Sequence, residues 1–263
     1  MSTIKVDTIT DGAGTGAPDF PNGATGVGGP TPDLYVYDVQ KFTSSGTWTK
    51  PAGATAGDIV IVWGVGGGGS GGFRSFDTAG GGGGGAGFLW TIDDIADLSA
   101  TEAVTIGAGA AAKSWNGGSS VGDTGGNTIF GTSGSIGYCS FGGGAGGTIS
   151  TSNSGPSECI AYNAATSANA TLVWTQGIGR GDAGSNAPNA SSIYGGGGGG
   201  SAHTAENSGG ISGVGGHGGV GVSTSGVAGK AGSFPGGGGA GANGANSGAG
   251  AAGYLTVTSY RGA

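Results

Sequence analysis

Asp58-Ile-Val-Ile-Val-Trp-Gly-Val-Gly-Gly-Gly-Gly69 decides the reading of this chain. It begins as a strand, rich in β-branched and aromatic residues, and passes without punctuation into a block of glycine. The return is symmetrical: Gly80–Gly85 leads into Gly87-Phe-Leu-Trp-Thr-Ile92. Further blocks stand at Gly142–Gly144, Gly195–Gly200 and Gly236–Gly239, and glycine makes up 71 of 263 residues. Ordering bare glycine costs more backbone entropy than ordering any other residue. A flexible linker would carry few apolar neighbours. These blocks have strands on their flanks, which argues for ordered glycine.

Ordered glycine runs can take the left-handed threefold helix, with a rise of ~3.1 Å per residue. That helix has no internal hydrogen bonds, so every N–H and C=O must find a neighbouring chain. Several runs in one molecule, or across subunits, can supply those neighbours. Collagen is excluded, because no strict Gly-X-Y period persists through the chain. The open alternative is that the blocks are flexible loop tips. The structural glycines at issue are Gly66, Gly67, Gly68 and Gly69, then Gly80, Gly81, Gly82, Gly83, Gly84 and Gly85, then Gly195, Gly196, Gly197, Gly198, Gly199 and Gly200.

Strands are expected at Leu34–Thr43, Gly46–Lys50, Asp58–Trp63, Gly87–Ile92, Glu102–Ile106, Asn127–Phe130, Thr171–Trp174 and Tyr254–Tyr260. Only Ile92–Ser99 hints at a helical turn. Pairing of 34–63 with 254–260 would close the chain into one all-β sandwich, jelly-roll-like, with the glycine blocks trapped between its ends. Residues 31–263 form this domain. The stretch 131–194, lower in glycine and richer in Ser, Thr, Asn and aromatics, reads as an insertion facing a receptor.

Residues 1–30 read as an attachment and oligomerisation arm. Ile4, Val6 and Ile9 are the apolar positions of a short strand that cannot bury itself and so needs a partner. The competing reading is a frayed terminus. The start lacks the hydrophobic run of a secretory signal.

Net charge is −7, and only 9% of residues are charged, against about 25% in ordinary proteins. Phosphate binding needs clustered Lys and Arg, so nucleic acid is an unsuitable partner. No segment reaches the ~20 apolar residues of a membrane helix, so membrane insertion is not expected. Cys139 and Cys159 are too few for a disulfide-stapled scaffold, and their spacing leaves a bridge between them open.

The motifs of enzymes fare poorly. Gly64-Val-Gly-Gly-Gly-Gly69 fits a dinucleotide fingerprint in letters, but no helix follows it. His203 and His217 lack partners at metal-ligand spacing, so no metal or cofactor is expected. Asp93, Asp94 and Asp97 suit the capping of a turn better than calcium. Nothing fixes a hydrolytic separation between Asp182 and Glu158 or Glu206. The chain reads as a non-enzyme.

The rings outside the expected strands are Phe73, Phe76, Trp115, Tyr138, Phe141, Tyr162 and Tyr194. Flat rings beside Gly and Asn can stack on sugars, which makes Tyr138, Phe141, Tyr162, Tyr194 and Trp115 candidates for ligand contact. They could equally lie as a lid over the glycine.

Lys41-Phe-Thr-Ser-Ser-Gly-Thr-Trp-Thr-Lys-Pro-Ala-Gly53, followed by Asp58–Gly69, Gly80–Ile92 and Val104-Thr-Ile-Gly-Ala-Gly109, resembles the glycine-rich domain of bacteriophage tail-fibre and other virion proteins. Asn116-Gly-Gly-Ser-Ser120, Asn127-Thr-Ile-Phe130 and Gly253-Tyr-Leu-Thr-Val257 extend the likeness. Met1–Asp7 with Pro18-Asp-Phe-Pro-Asn-Gly23 looks like the start of many phage appendage proteins. The resemblance implies a virion-attached β-structure, often homotrimeric, that meets the host surface. Its partners would be copies of itself, other virion proteins through the arm, and a host glycan or outer-membrane receptor. A capsid-surface decoration or adaptor without receptor binding, and a self-assembling cellular adhesin, are the competing readings.

Overall fold

The computed structural model describes residues 35–75, 79–135, 137–149, 170–174, 193–202, 208–222 and 224–261. The expected strand positions Ile4, Val6 and Ile9, and the residues Phe76, Cys159, Tyr162, His203 and Asp182, lie outside them. So do Glu158 and Glu206.

The protein is all-β. Its strands are β1 (Tyr35–Phe42), β2 (Gly46–Thr49), β3 (Ile59–Val65), β4 (Phe73–Arg74), β5 (Gly87–Ile92), β6 (Thr101–Thr105), β7 (Thr128–Phe130), β8 (Cys139–Phe141), β9 (Ala170–Trp174), β10 (Ala242–Asn243) and β11 (Tyr254–Arg261). One sheet has the order β1-β11-β3-β5-β9, and a second has β2-β6-β7-β8. All pairings in these two sheets are antiparallel. The last strand therefore lies between the first and third, and the two ends of the described chain close one sheet.

Alternation selects the inner face. In β3, Val60 and Val62 are buried while Ile59, Ile61 and Trp63 are half-buried. In β11, Leu255, Val257 and Ser259 point inward. Phe88, Trp90 and Ile92 of β5 join them, and the second sheet contributes Trp48, Val104, Phe130, Cys139 and Phe141 to one core. Trp48 meets Phe130 edge-on at 5.8 Å, and Phe88 meets Phe141 at 4.3 Å. Gly64 stands under that aromatic pair: a Cβ there would lie 2.7 Å from the Phe141 ring.

This packing corrects two expectations. Residues 131–149 are no insertion, because Cys139–Phe141 is a strand of the second sheet and 142–148 runs beside the glycine blocks. Phe141 does not face a ligand, because it is fully buried between the sheets. Cys139 beside it is a free, buried thiol, and burial pushes its pKa well up.

The helical hint at Ile92–Ser99 is a 3-10 turn, Ile95–Asp97. Asp94 caps it, its Oδ1 accepting from the Ala96 N–H at 2.8 Å and the Gly57 N–H at 3.0 Å.

The end of the sandwich where β1 begins is held by Asp58. Its Oδ2 accepts from the Tyr37 hydroxyl at 3.0 Å, the Thr55 N–H at 2.9 Å and Arg261 Nη2 at 3.2 Å. The Arg261 guanidinium lies 4.7 Å over the Tyr37 ring. Burial alone would raise the Asp58 carboxyl; the bonds from Arg261, Thr55 and Tyr37 outweigh it and hold the pKa at about 2. Burial and the bond to Asp58 push the Tyr37 hydroxyl up to about 12.

Candidate functional site

At the opposite end of the sandwich, strands turn into glycine rods. β3 continues into the 66–72 rod, and the 79–86 rod returns into β5. β8 continues into 142–148, and 120–126 and 247–253 lead back into β7 and β11. The rods pack side by side, and their hydrogen bonds repeat every third residue, as a threefold helix requires.

The 66–72 rod shows the rule. Gly66, Gly69 and Gly72 donate to Ala86, Gly83 and Gly80 at 3.0, 2.9 and 3.0 Å. Gly67 and Ser70 donate to Gly126 and Asp123, and Gly68 and Gly71 donate to Ala251 and Gly248. These three neighbours run antiparallel to it. Its carbonyls accept from three others: Gly67 from Gly144, Ser70 from Gly147, Gly68 from Ala110, and Gly69 and Gly72 from Gly239 and Ala242. Those neighbours run parallel. Every N–H of 66–72 is thus paired, with partners on all sides.

The 236–242 rod is a second centre. Its N–H groups go to Ala252, Ser233, Gly197, Gly69, Lys230, Gly200 and Gly72 in order along the rod. The 195–200 block is tied in from the other side, Gly196 to Gly85 at 2.9 Å and Gly199 to Gly82 at 2.8 Å. Two hydrogen-bonded backbones at this separation leave no room between them. A Cβ on Gly66, Gly69, Gly84 or Gly199 would run into the carbonyl oxygen of Gly142, Ala145, Gly196 or Gly239 respectively. Here glycine is required by close approach, not by positive φ.

The rods end in a tip remote from the sandwich. β4 pairs with β10 in parallel, and Phe73 and Ser120 exchange backbone bonds of 2.9 and 3.0 Å. Phe73, Ala242 and Ala245 form a small second core, with Trp115 packed against it. The Trp115 ring stands edge-on to Phe73 at 5.3 Å and is half-buried. The Trp115 backbone N–H donates to Asn246 Oδ1 at 2.7 Å. Lys113 Nζ pairs with Asp123 Oδ1 at 2.6 Å, and the Ser75 hydroxyl bonds the carbonyls of Gly117 and Gly118. The tip loop is therefore fixed, with one partly open indole among Ser and Asn.

The other sequence candidates fall elsewhere. Tyr138 is half-buried next to β8, and Tyr194 is half-buried where 195–200 begins. Neither is near Trp115 in the chain's hydrogen-bond pattern. Phe73, weighed as lid or contact, is core at the tip. His217 is exposed, with Nδ1 accepting from the Ser212 N–H at 3.0 Å. Among the described residues, no three of His, Cys, Asp and Glu are grouped as metal ligands, and no helix is long and apolar enough to cross a membrane.

The sequence marks Gly236–Gly239 as a glycine block but not as a second centre. Its signal was present: blocks recurring on both sides of strands mark rods that must share neighbours.

No curated protein matches the chain. Residues 41–260 match the glycine-rich domain family, which spans both the sandwich and the rods, and the chain belongs to that family.

Proposed function

We propose that this chain is a non-enzymatic structural protein of a bacteriophage virion, a homotrimeric tail fibre or similar appendage that presents a rigid tip to the host surface. One observation carries the reading. The chain enters the sandwich at Tyr35, beside Asp58 and Arg261, while the rods extend from the other end to the Trp115 tip. A tether at one end and a stiff, side-chain-poor shaft with a fixed tip at the other suit a part that holds on and reaches out. The rods run about 22 Å at the rise of the threefold helix. The family description speaks of a glycine-rich domain alone. The virion assignment rests on the resemblance of Lys41–Gly53 and of the opening residues to phage appendage proteins. Host contact would fall to the Trp115 indole and its Ser and Asn surroundings, which suit a neutral glycan.

Two measurements test this. Antibody raised against the purified chain, gold-labelled, should decorate particles at the tail or its fibres. Label confined to cell surfaces would overturn the reading in favour of an adhesin, and label on the capsid shell would favour a decoration protein. The purified chain should also bind cells of the host, and Trp115→Ala should lower that binding while the protein stays folded.

A further inference from the structure

A lattice of rods has the problem of an open β-sheet: its outermost members carry unpaired backbone groups that could template another chain. The rim rods here show those groups. In 120–126, the N–H groups of Ser120, Gly122, Asp123, Gly125 and Gly126 are bonded, while those of Val121 and Thr124 have no acceptor among the described residues. In 216–220, Gly216, Gly218 and Gly219 are bonded, and His217 and Val220 have no acceptor among the described residues. In 227–232, Val227, Gly229, Lys230 and Gly232 are bonded, and Ala228 and Ala231 have no acceptor among the described residues. The unpaired positions are three apart in each rod, so they form one outward row per rod.

Every one of these positions carries a side chain. Val121, Thr124, His217, Val220, Ala228 and Ala231 are all exposed. The fully paired 66–72 rod has only Ser70 besides glycine, and 236–242 has only alanine at 240 and 242. Apolar residues stand in water at two rims, Val121 at 52% and Val220 at 42% exposure, where burial cannot be their purpose. Inside the lattice, a Cβ would meet a neighbouring carbonyl oxygen, so a side chain at an outward position denies the approach that a further rod needs.

We propose that these outward side chains act as a guard against lattice growth, and that the surface they guard fits a glycine rod from a second copy of this chain. The complementarity is built in. A bare rim would present N–H groups at the spacing at which the copy's own rods present carbonyls, and rods of either direction are accepted, as the parallel and antiparallel neighbours of 66–72 show. The inference does not depend on where the protein is used.

The test strips one rim at a time in the full chain: Val121→Gly with Thr124→Gly, and separately His217→Gly with Val220→Gly. Serine replacements at the same positions are the controls, since serine keeps a Cβ and removes the apolar surface. Sedimentation velocity over a hundredfold concentration range reads the result, with circular dichroism confirming the fold. The glycine variants should form larger, concentration-dependent species relative to the parent, and the serine variants should sediment as the parent does. A folded glycine variant that sediments like the parent overturns the proposal, and so does equal association of the serine variants. Should one stripped rim fail to fold, the other carries the test.

Discussion

Gly69 donates its N–H to the carbonyl of Gly83 at 2.9 Å across two antiparallel rods. The same glycine accepts from Gly239 on its other side, also at 2.9 Å. Backbone alone fills the space between them, and this relationship repeated along the two central rods makes the glycine runs a solid.

Adding one methyl group should therefore damage the lattice. Gly84→Ala and Gly199→Ala should each lower stability by about 1–3 kcal/mol, the cost of overpacking. Gly144→Ala and Gly218→Ala, whose Cβ atoms would strike the carbonyls of Gly83 and Gly198, should behave alike. Gly46→Ala in β2 is the control: its Cβ would meet only the Phe42 ring at 3.8 Å. It should be neutral or stabilising by a few tenths of a kcal/mol, because alanine narrows the unfolded ensemble. Melting midpoints separate the two groups; equal midpoints would refute close packing.

Asp58 should make the sandwich sensitive to strong acid. Its folded pKa of about 2 lies below the unfolded value, so its contribution is complete above about pH 4 and is lost as pH falls through 2. Tyr37, raised to about 12, works in the other direction: its contribution holds below pH 10 and fades as pH rises toward 12. Asp58→Asn should cost on the order of 2–3 kcal/mol at neutral pH, since it unpairs Arg261 in a partly buried clamp. The variant should also flatten the acid limb of a stability–pH profile measured by urea titration.

Phe141→Ala should cost about 3–5 kcal/mol, as loss of a fully buried ring does. Trp115→Ala at the tip should cost less, because that ring is only partly buried. Denaturant unfolding of both variants ranks them; the opposite order would contradict the assignment of Phe141 to the core and Trp115 to the rim of a small cluster.

Cys139 should report on global opening. In a Cys159→Ser background, the buried thiol should resist an aromatic disulfide reagent under native conditions and react stoichiometrically in denaturant. Fast native labelling would place it nearer the surface than the structure does.

Much of the architecture was written in local sequence. The strands Tyr35–Phe42, Ile59–Val65, Gly87–Ile92 and Tyr254–Arg261 fall where β-branched and aromatic residues alternate, because alternation and the pleat share a period of two. Phe73–Arg74, Cys139–Phe141 and Ala242–Asn243 were not legible. They are two or three residues long with glycine or small residues around them, and they pair only because distant segments are brought alongside. Phe141 looked like an exposed ring for the same reason: its neighbours in sequence are Ser and Gly, and its neighbours in space are Phe88 and Gly64.

The rods divide in the same way. Local sequence is enough to join Gly66–Gly69 and Gly80–Gly85 directly to strands, and bare glycine permits a threefold helix. Val214-Gly-Gly-His-Gly-Gly-Val220 even carries the period of three along one rim. Long-range packing sets which rod is central, which carbonyl each N–H meets, and that Val121 and Val220 face outward. A glycine helix makes no hydrogen bond to itself, so no local pattern can encode its partner. The sandwich does that, by fixing where each strand ends and each rod begins.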